Sequence, residues 1–147
     1  MTKSDDGWHV VIPINPVATP RPSFRRAKQG TITFYSDKYN EYLESISEYL
    51  KAHKSIDNKF FREVNAPLGA VASIDFFIQA PISQKRINII TRTTAPDIDN
   101  LVKGVLDGIF RDLKVRDSRI VGLSTMKYTT LDNPRIEVTI RGITARI

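Results

Sequence analysis

The sequence predicts an α+β domain, a small mixed or antiparallel sheet with two main helices packed on it. Three observations carry that expectation. Apolar residues alternate with a period of two near the start, in the middle and at the end of the chain. Two longer stretches repeat apolar residues at spacings of three and four. Turn-forming residues, Pro81 and Asp132-Asn133-Pro134 among them, stop the alternating stretches. At 147 residues the chain reads as one domain over 1–147, with 1–7 as a flexible leader.

Composition narrows the class. Apolar residues make up 41% and charged residues 26%, as in globular proteins. No apolar run is long enough to span a bilayer, and the start of the chain lacks the apolar segment of a secretory signal. With no cysteine there is neither a disulfide framework nor a thiolate zinc site. His9 and His53 stand far apart without ligand-like neighbours. A cytoplasmic protein is expected. The net charge of +6 and the pI near 9.7 favour encounter with a polyanion.

Taken in order, Trp8, Val10, Ile12 and Ile14 mark a first strand, which Pro13 places at an edge or ends early. Residues 16–30 follow, with three prolines and the cations Arg21, Arg25, Arg26 and Lys28. This segment reads either as a solvated loop or as an arm that contacts phosphates. A short strand at 31–35 leads to Ser36 or Asp37, either of which can cap the next helix. Tyr39, Tyr42, Leu43, Ile46 and Leu50 form one face of that helix to about residue 53, so the tyrosines belong to the core rather than to base stacking. Residues 54–68 lack a period and are expected to form a loop that tucks Phe60 or Phe61 inside.

A strand from Gly69 to Pro81 turns Ile74, Phe76 and Ile78 one way and Ser73, Asp75, Phe77 and Gln79 the other. Residues 82–95 make a basic connection with Lys85, Arg86 and Arg92. The second helix starts near Asp97 or Asp99 and runs to about Arg111, its stripe made by Leu101, Val102, Val105, Leu106, Ile109 and Phe110. Gly104 and Gly108 would let a neighbouring element or a second subunit come close. A basic turn from Arg111 to Arg116 precedes two final strands, Arg119 to Tyr128 and Arg135 to Arg141. The expected order is β-β-α-β-α-β-β.

The chemistry concentrates where the second helix begins. One aspartate there is explained as a cap. Two, at Asp97 and Asp99, would share one side of an extended segment and repel unless a cation lay between them. Oxygen ligands without histidine or cysteine suit Mg²⁺, with Mn²⁺ as a substitute. Lys103, one turn on, pairs with Asp99 or Asp107, or holds a scissile phosphate. Asp117 is the expected third carboxylate, ahead of Asp112, and Asp75 reads as an outward sheet residue. The pattern favours metal-dependent phosphodiester hydrolysis.

Pro96-Asp97-Ile98-Asp99-Asn100-Leu101-Val102-Lys103, Val105-Leu106-Asp107 and Asp117-Ser118-Arg119-Ile120-Val121 resemble the signature of the RusA family of Holliday junction resolvases of phages and prophages. Pro20-Arg21-Pro22 and the tyrosine-bearing helix extend the resemblance over nearly the whole chain. It implies a RusA-like fold and a small homodimeric endonuclease that nicks four-way DNA junctions in symmetric pairs, leaving 5′-phosphate and 3′-hydroxyl ends. Asp97, Asp99 and Asp117 fall on the family's metal-binding carboxylates and Lys103 on its catalytic lysine. Where members often carry two consecutive aspartates, this chain has Arg116-Asp117. Arg21, Arg25, Arg26, Lys28, Lys85, Arg86, Arg111, Lys114 and Arg116 are the candidate DNA contacts. Two rivals stand: a non-catalytic binder of branched DNA, and a metal-dependent hydrolase of small phosphoesters.

Overall fold

The structure, a computed structural model, describes residues 7–20, 23–27, 30–34, 36–84 and 87–144, with 23–27 and 30–34 described as backbone. The elements run β1 (Trp8–Ile12), β2 (Ser23–Ala27), β3 (Gly30–Phe34), α1 (Asp37–Ala52), α2 (Asn58–Val64), β4 (Ala70–Gln79) and β5 (Ile90–Thr91). They continue with α3 (Ile98–Phe110), a 3-10 turn (Asp117–Arg119), β6 (Ile120–Thr130) and β7 (Arg135–Gly142). Strands β1-β7-β4-β6-β5 form one mixed sheet in that order, and β2 and β3 pair separately. Among the described residues only β4 and β6 run parallel. A parallel pair needs a crossover, and α3 lies in it, so the pairing fixes the helix over the sheet.

Register explains the core. Ala72, Ile74 and Phe76 of β4 stand opposite Ile140, Val138 and Ile136 of β7, and the latter three oppose Trp8, Val10 and Ile12. This single face meets Tyr39, Tyr42, Ile46 and Leu50 of α1 and Leu101, Val105 and Ile109 of α3. Each large side chain buried this way is worth roughly 1.5–3 kcal/mol against exposure. The glycines of α3 serve a neighbouring element. A Cβ on Gly104 would lie 3.1 Å from the Val17 carbonyl oxygen, and one on Gly108 would lie 2.9 Å from Ile46 Cδ1.

The structure departs from the sequence reading in several places. Residues 58–64 form α2 where a loop was expected. Asp57 caps it by accepting from Phe60 N at 2.9 Å, and Phe60 and Val64, four apart, are buried. Two turns are too short to display a period. The basic 16–30 segment is neither all loop nor all arm, since its second half is β2, paired to β3 from Ser23↔Phe34 to Ala27↔Gly30. Its polar sequence hides the strand. The 82–95 connection adds β5 to the sheet edge through Ile90↔Thr129 and Thr91↔Tyr128. Phe77 does face away from the helices but is buried, stacked on Tyr128 at 5.0 Å with the Arg135 guanidinium 3.8 Å above its ring. Asp117 opens a 3-10 turn, and the strand begins only at Ile120. Among the described residues no helix is long and apolar enough to cross a membrane.

Candidate active site at the start of α3

The helix begins at Ile98 because Asp97 is still extended (φ −71°, ψ 140°) while its carbonyl already accepts from Leu101 N at 3.2 Å. The usual role of an aspartate at this position is to cap with its side chain. Asp97 does not do so, and its carboxylate is left over at the exposed helix start. Asp99, in the first turn and also exposed, accepts only a local bond from Asn100 N at 2.9 Å. Both carboxylates lie at the end where the helix dipole favours negative charge. The capping account therefore fails for Asp97.

The backbone leading into this turn is held from outside. Lys127 Nζ donates to the carbonyls of Thr94 (2.8 Å) and Pro96 (2.7 Å), and Arg92 Nε to that of Ala95 (2.7 Å). The Ala95–Pro96 peptide is cis. Of these bonds the one to Pro96 is partly buried and the other two are exposed, so the Pro96 bond contributes most. On the other flank, Thr19 N and Oγ1 both donate to the Asn100 carbonyl at 3.1 Å, and Thr19 Oγ1 is 2.8 Å from the Tyr39 hydroxyl. The chain leading toward the cationic segment is thus bonded, at Thr19, to the first turn of α3.

Lys103 pairs with Asp107, at 3.3 Å, which decides between the two partners that spacing allowed. Asp117 is exposed beside the second half of the helix. It shares one hollow with Asp107, Phe110, Arg111 and Arg116, and another with Leu106, Val121 and Leu123. From Asp97 to Asp107 is ten residues, ~15 Å along a helix. Among the described residues no three carboxylate or imidazole groups gather as a metal requires. The structure sets Asp117 beside Leu106 and Asp107 and does not gather it with Asp97 and Asp99 into such a group. Asp112 is engaged elsewhere, taking Lys51 Nζ at 2.9 Å and Ser47 Oγ at 3.2 Å. The hydrogen bond and charge of Lys51 hold its carboxyl below the usual range. Asp75 lies on the opposite face of the sheet in register with Glu137. Desolvation first, and the Glu137 charge second, push its carboxyl up.

Of the expected DNA contacts, Arg111, Lys114 and Arg116 are exposed beside the end of α3. Arg21, Lys28, Lys85 and Arg86 lie outside the described residues, as do the side chains of Arg25 and Arg26. Sequence reasoning missed Lys127 and Thr19. Lys127 carried a signal: it stands in register with the core residue Phe76, an inward place where a lysine needs acceptors.

The model of a family described as Endodeoxyribonuclease RusA matches residues 13–141. The chain belongs to that family. The matched range contains both aspartates of the helix start, Lys103, Asp117 and the basic segment. The RusA family is one of structure-specific, metal-dependent nucleases that act on Holliday junctions in DNA recombination and repair. The chain is also similar to an uncharacterized protein, YqaN, of Bacillus subtilis (strain 168). The two are 43% identical over 53 residues, 36% of this chain and 37% of that protein. The chain thus spans little more than a third of the length of that relative.

Metal dependence goes with the family, and the donor set fits it. The spare oxygens of Asp97 and Asp99, with no thiolate in the chain, suit a hard divalent cation.

Proposed function

We propose that the chain is a Mg²⁺-dependent endodeoxyribonuclease that resolves four-way DNA junctions by paired symmetric nicks, with Mn²⁺ as a substitute ion. The observation that carries this reading is the Asp97 carboxylate, which stands at a helix start without capping it, two residues from a second exposed aspartate. Asp97 and Asp99 would hold the ion. When bound, such an ion activates water for attack and stabilises the leaving 3′-oxygen, giving a 5′-phosphate and a 3′-hydroxyl. Lys103, itself exposed, would turn from Asp107 and place its ammonium on the scissile phosphate, where charge develops. An i,i+4 pair of this type contributes only ~0.3–0.5 kcal/mol.

Asp117 is assigned as the third carboxylate. Its position beside Leu106 and Asp107 favours supply from a second copy of the chain over its own Asp97 and Asp99. The hollow of about 380 Å³ next to it is lined by Leu106, Ile120, Val121 and Leu123, an apolar seat for that copy. A homodimer also provides the two active sites that a two-fold junction requires. The arm from Arg21 to Lys28, together with Lys85, Arg86, Arg111, Lys114 and Arg116, would contact phosphates, so binding should weaken steeply with salt. The whole is assigned to one domain over 1–147, acting in the cytoplasm of a bacterial host, encoded by a phage or prophage.

The test uses four-way junction DNA with Mg²⁺. Asp99→Asn should bind the junction as the parent chain does and cut orders of magnitude more slowly. Asp97→Asn and Asp117→Asn should each be inactive alone, and their mixture should regain part of the activity if Asp117 acts across the dimer. Unchanged cutting by Asp99→Asn sinks the site. A mixture that stays dead argues for Asp117 acting within its own chain. Parent protein that binds but never cuts would leave the binder reading, and hydrolysis confined to small phosphoesters would leave the other rival.

A further inference from the structure

The segment 94–96 ends where the two site aspartates begin, and all three of its carbonyls are taken by cations. Lys127 bridges Thr94 and Pro96, and Arg92 takes Ala95. Arg92 is also tied to the strand that carries Lys127: its N donates to the Lys127 carbonyl at 3.1 Å, and its Nη1 to Thr129 Oγ1 at 3.3 Å. Lys127 points from β6 toward the helices, at a place that in β4 and β7 is filled by Phe76 and Ile136. An ammonium there carries three donors and no acceptor. Its two bonds go to main-chain oxygens rather than to a carboxylate. That choice matters for a metal site, because a lysine paired with Asp97 or Asp99 would compete with the ion, whereas one bonded to peptide oxygens fixes the backbone and leaves the carboxylates unspent.

We infer that Lys127 is a positioning residue for the carboxylate site. By bridging the carbonyls of Thr94 and Pro96 it sets the Pro96–Asp97 peptide, and with it the direction in which Asp97 leaves the chain before α3 begins. The inference rests on the reading of Asp97 and Asp99 as metal ligands. Two like charges near one point push the loop apart until the ion arrives, and the clamp resists that displacement. Removing it therefore penalises metal binding more than it penalises the overall fold. Arg92 acts on the same loop through one exposed bond and has the smaller part.

The experiment compares Lys127→Met, Lys127→Arg and Arg92→Ala with the parent chain, in three measurements. The first is the Mg²⁺ concentration for half-maximal cutting of a four-way junction. Lys127→Met should need at least tenfold more, Arg92→Ala two- to threefold more, and Lys127→Arg should recover much of the loss. The second is junction affinity in EDTA, which should stay within twofold. The third is metal-free amide exchange, which should quicken for Ile98 and Asp99 in Lys127→Met and stay unchanged in β4 and β7. Parent-like metal dependence with unchanged exchange overturns the inference. So does loss of activity with parent-like metal dependence and no rescue by arginine. If Lys127→Met fails to fold, Lys127→Arg and Arg92→Ala still decide it by the graded metal dependence. If Asp97→Asn cuts normally, the site reading has failed, while exchange at 98–99 still reports whether the clamp exists.

Discussion

At the N-terminal end of α3 the cations hold main-chain carbonyls and the carboxylates are left over; at its C-terminal end the cations hold the carboxylates themselves. Lys127, Arg92 and Thr19 bind the carbonyls of residues 94, 95, 96 and 100, and Asp97 caps nothing. One to three turns along, Lys103 takes Asp107, and past the helix Lys51 takes Asp112. Both ends are acidic, so acidity alone does not mark the site. A carboxylate with a partner is already spent on structure. One exposed at a helix start without a partner, on a backbone that others keep in place, is available to a ligand.

Three substitutions sharpen that contrast. The largest effect is expected from Lys103→Met, where the two ends meet. Cutting should fall by a factor of ~10², the scale for losing one charge aimed at a transition state. Loss of the Asp107 pair by itself should move thermal stability by only ~0.3–0.5 kcal/mol. A loss of stability with cutting retained would return Lys103 to a purely structural role. Next comes Gly108→Ala. The added methyl would sit 2.9–3.0 Å from three Ile46 atoms, and overpacking should cost ~1–3 kcal/mol in urea unfolding. Cutting at low temperature should survive, since the glycine contacts α1 and not the helix start. A neutral result would mean that Ile46 yields cheaply enough for alanine's higher helix propensity to offset the clash.

Asp75→Asn gives the smallest effect and serves as the control on the far face of the sheet. A carboxyl with a raised folded pKa contributes stability below its unfolded pKa and loses it as pH rises through the folded value. Removing it should therefore stabilise the chain at neutral pH by ~0.2–1 kcal/mol, the scale of like charges directly opposed across strands. The gain should vanish in acid. Asp112 has the opposite sign, because Lys51 lowers its pKa. That pairing helps at neutral pH and is lost as pH falls through the lowered value. Thermal melts across the acidic range separate the two, and a destabilised Asp75→Asn at neutral pH would refute the assigned desolvation and repulsion.

Much of this was legible in the chain. Period-two alternation marked β1, β4 and β7 because each buries one face and shows the other. The stripe on α3 and the tyrosines of α1 announced two helices on that sheet. The DxD pair with its lysine was visible because polar residues at an otherwise apolar helix start have few structural uses. What escaped was either short or non-local. Asp57, Phe60 and Val64 fit a helix too brief for periodicity, and β2 has no apolar face to read. The bonds of Lys127 to residues 94 and 96 span more than thirty positions, and no local pattern encodes them. Asp117 sits near Asp107 because a 3-10 turn intervenes before β6, a detail that spacing alone does not reveal.

The place of β7 has a consequence for the newborn chain. It is the last of the described strands in sequence, yet it lies between β1 and β4 and pairs with both. During synthesis, the first half of the protein can collapse, but the sheet has a gap at its middle until β7 leaves the ribosome. The lysine that steadies the helix start is also translated after the aspartates it serves. A truncated or stalled product would carry the acidic motif without the frame that aims it. On the proposed reading, such a product should neither hold metal nor cut until Lys127 and β7 have joined the sheet.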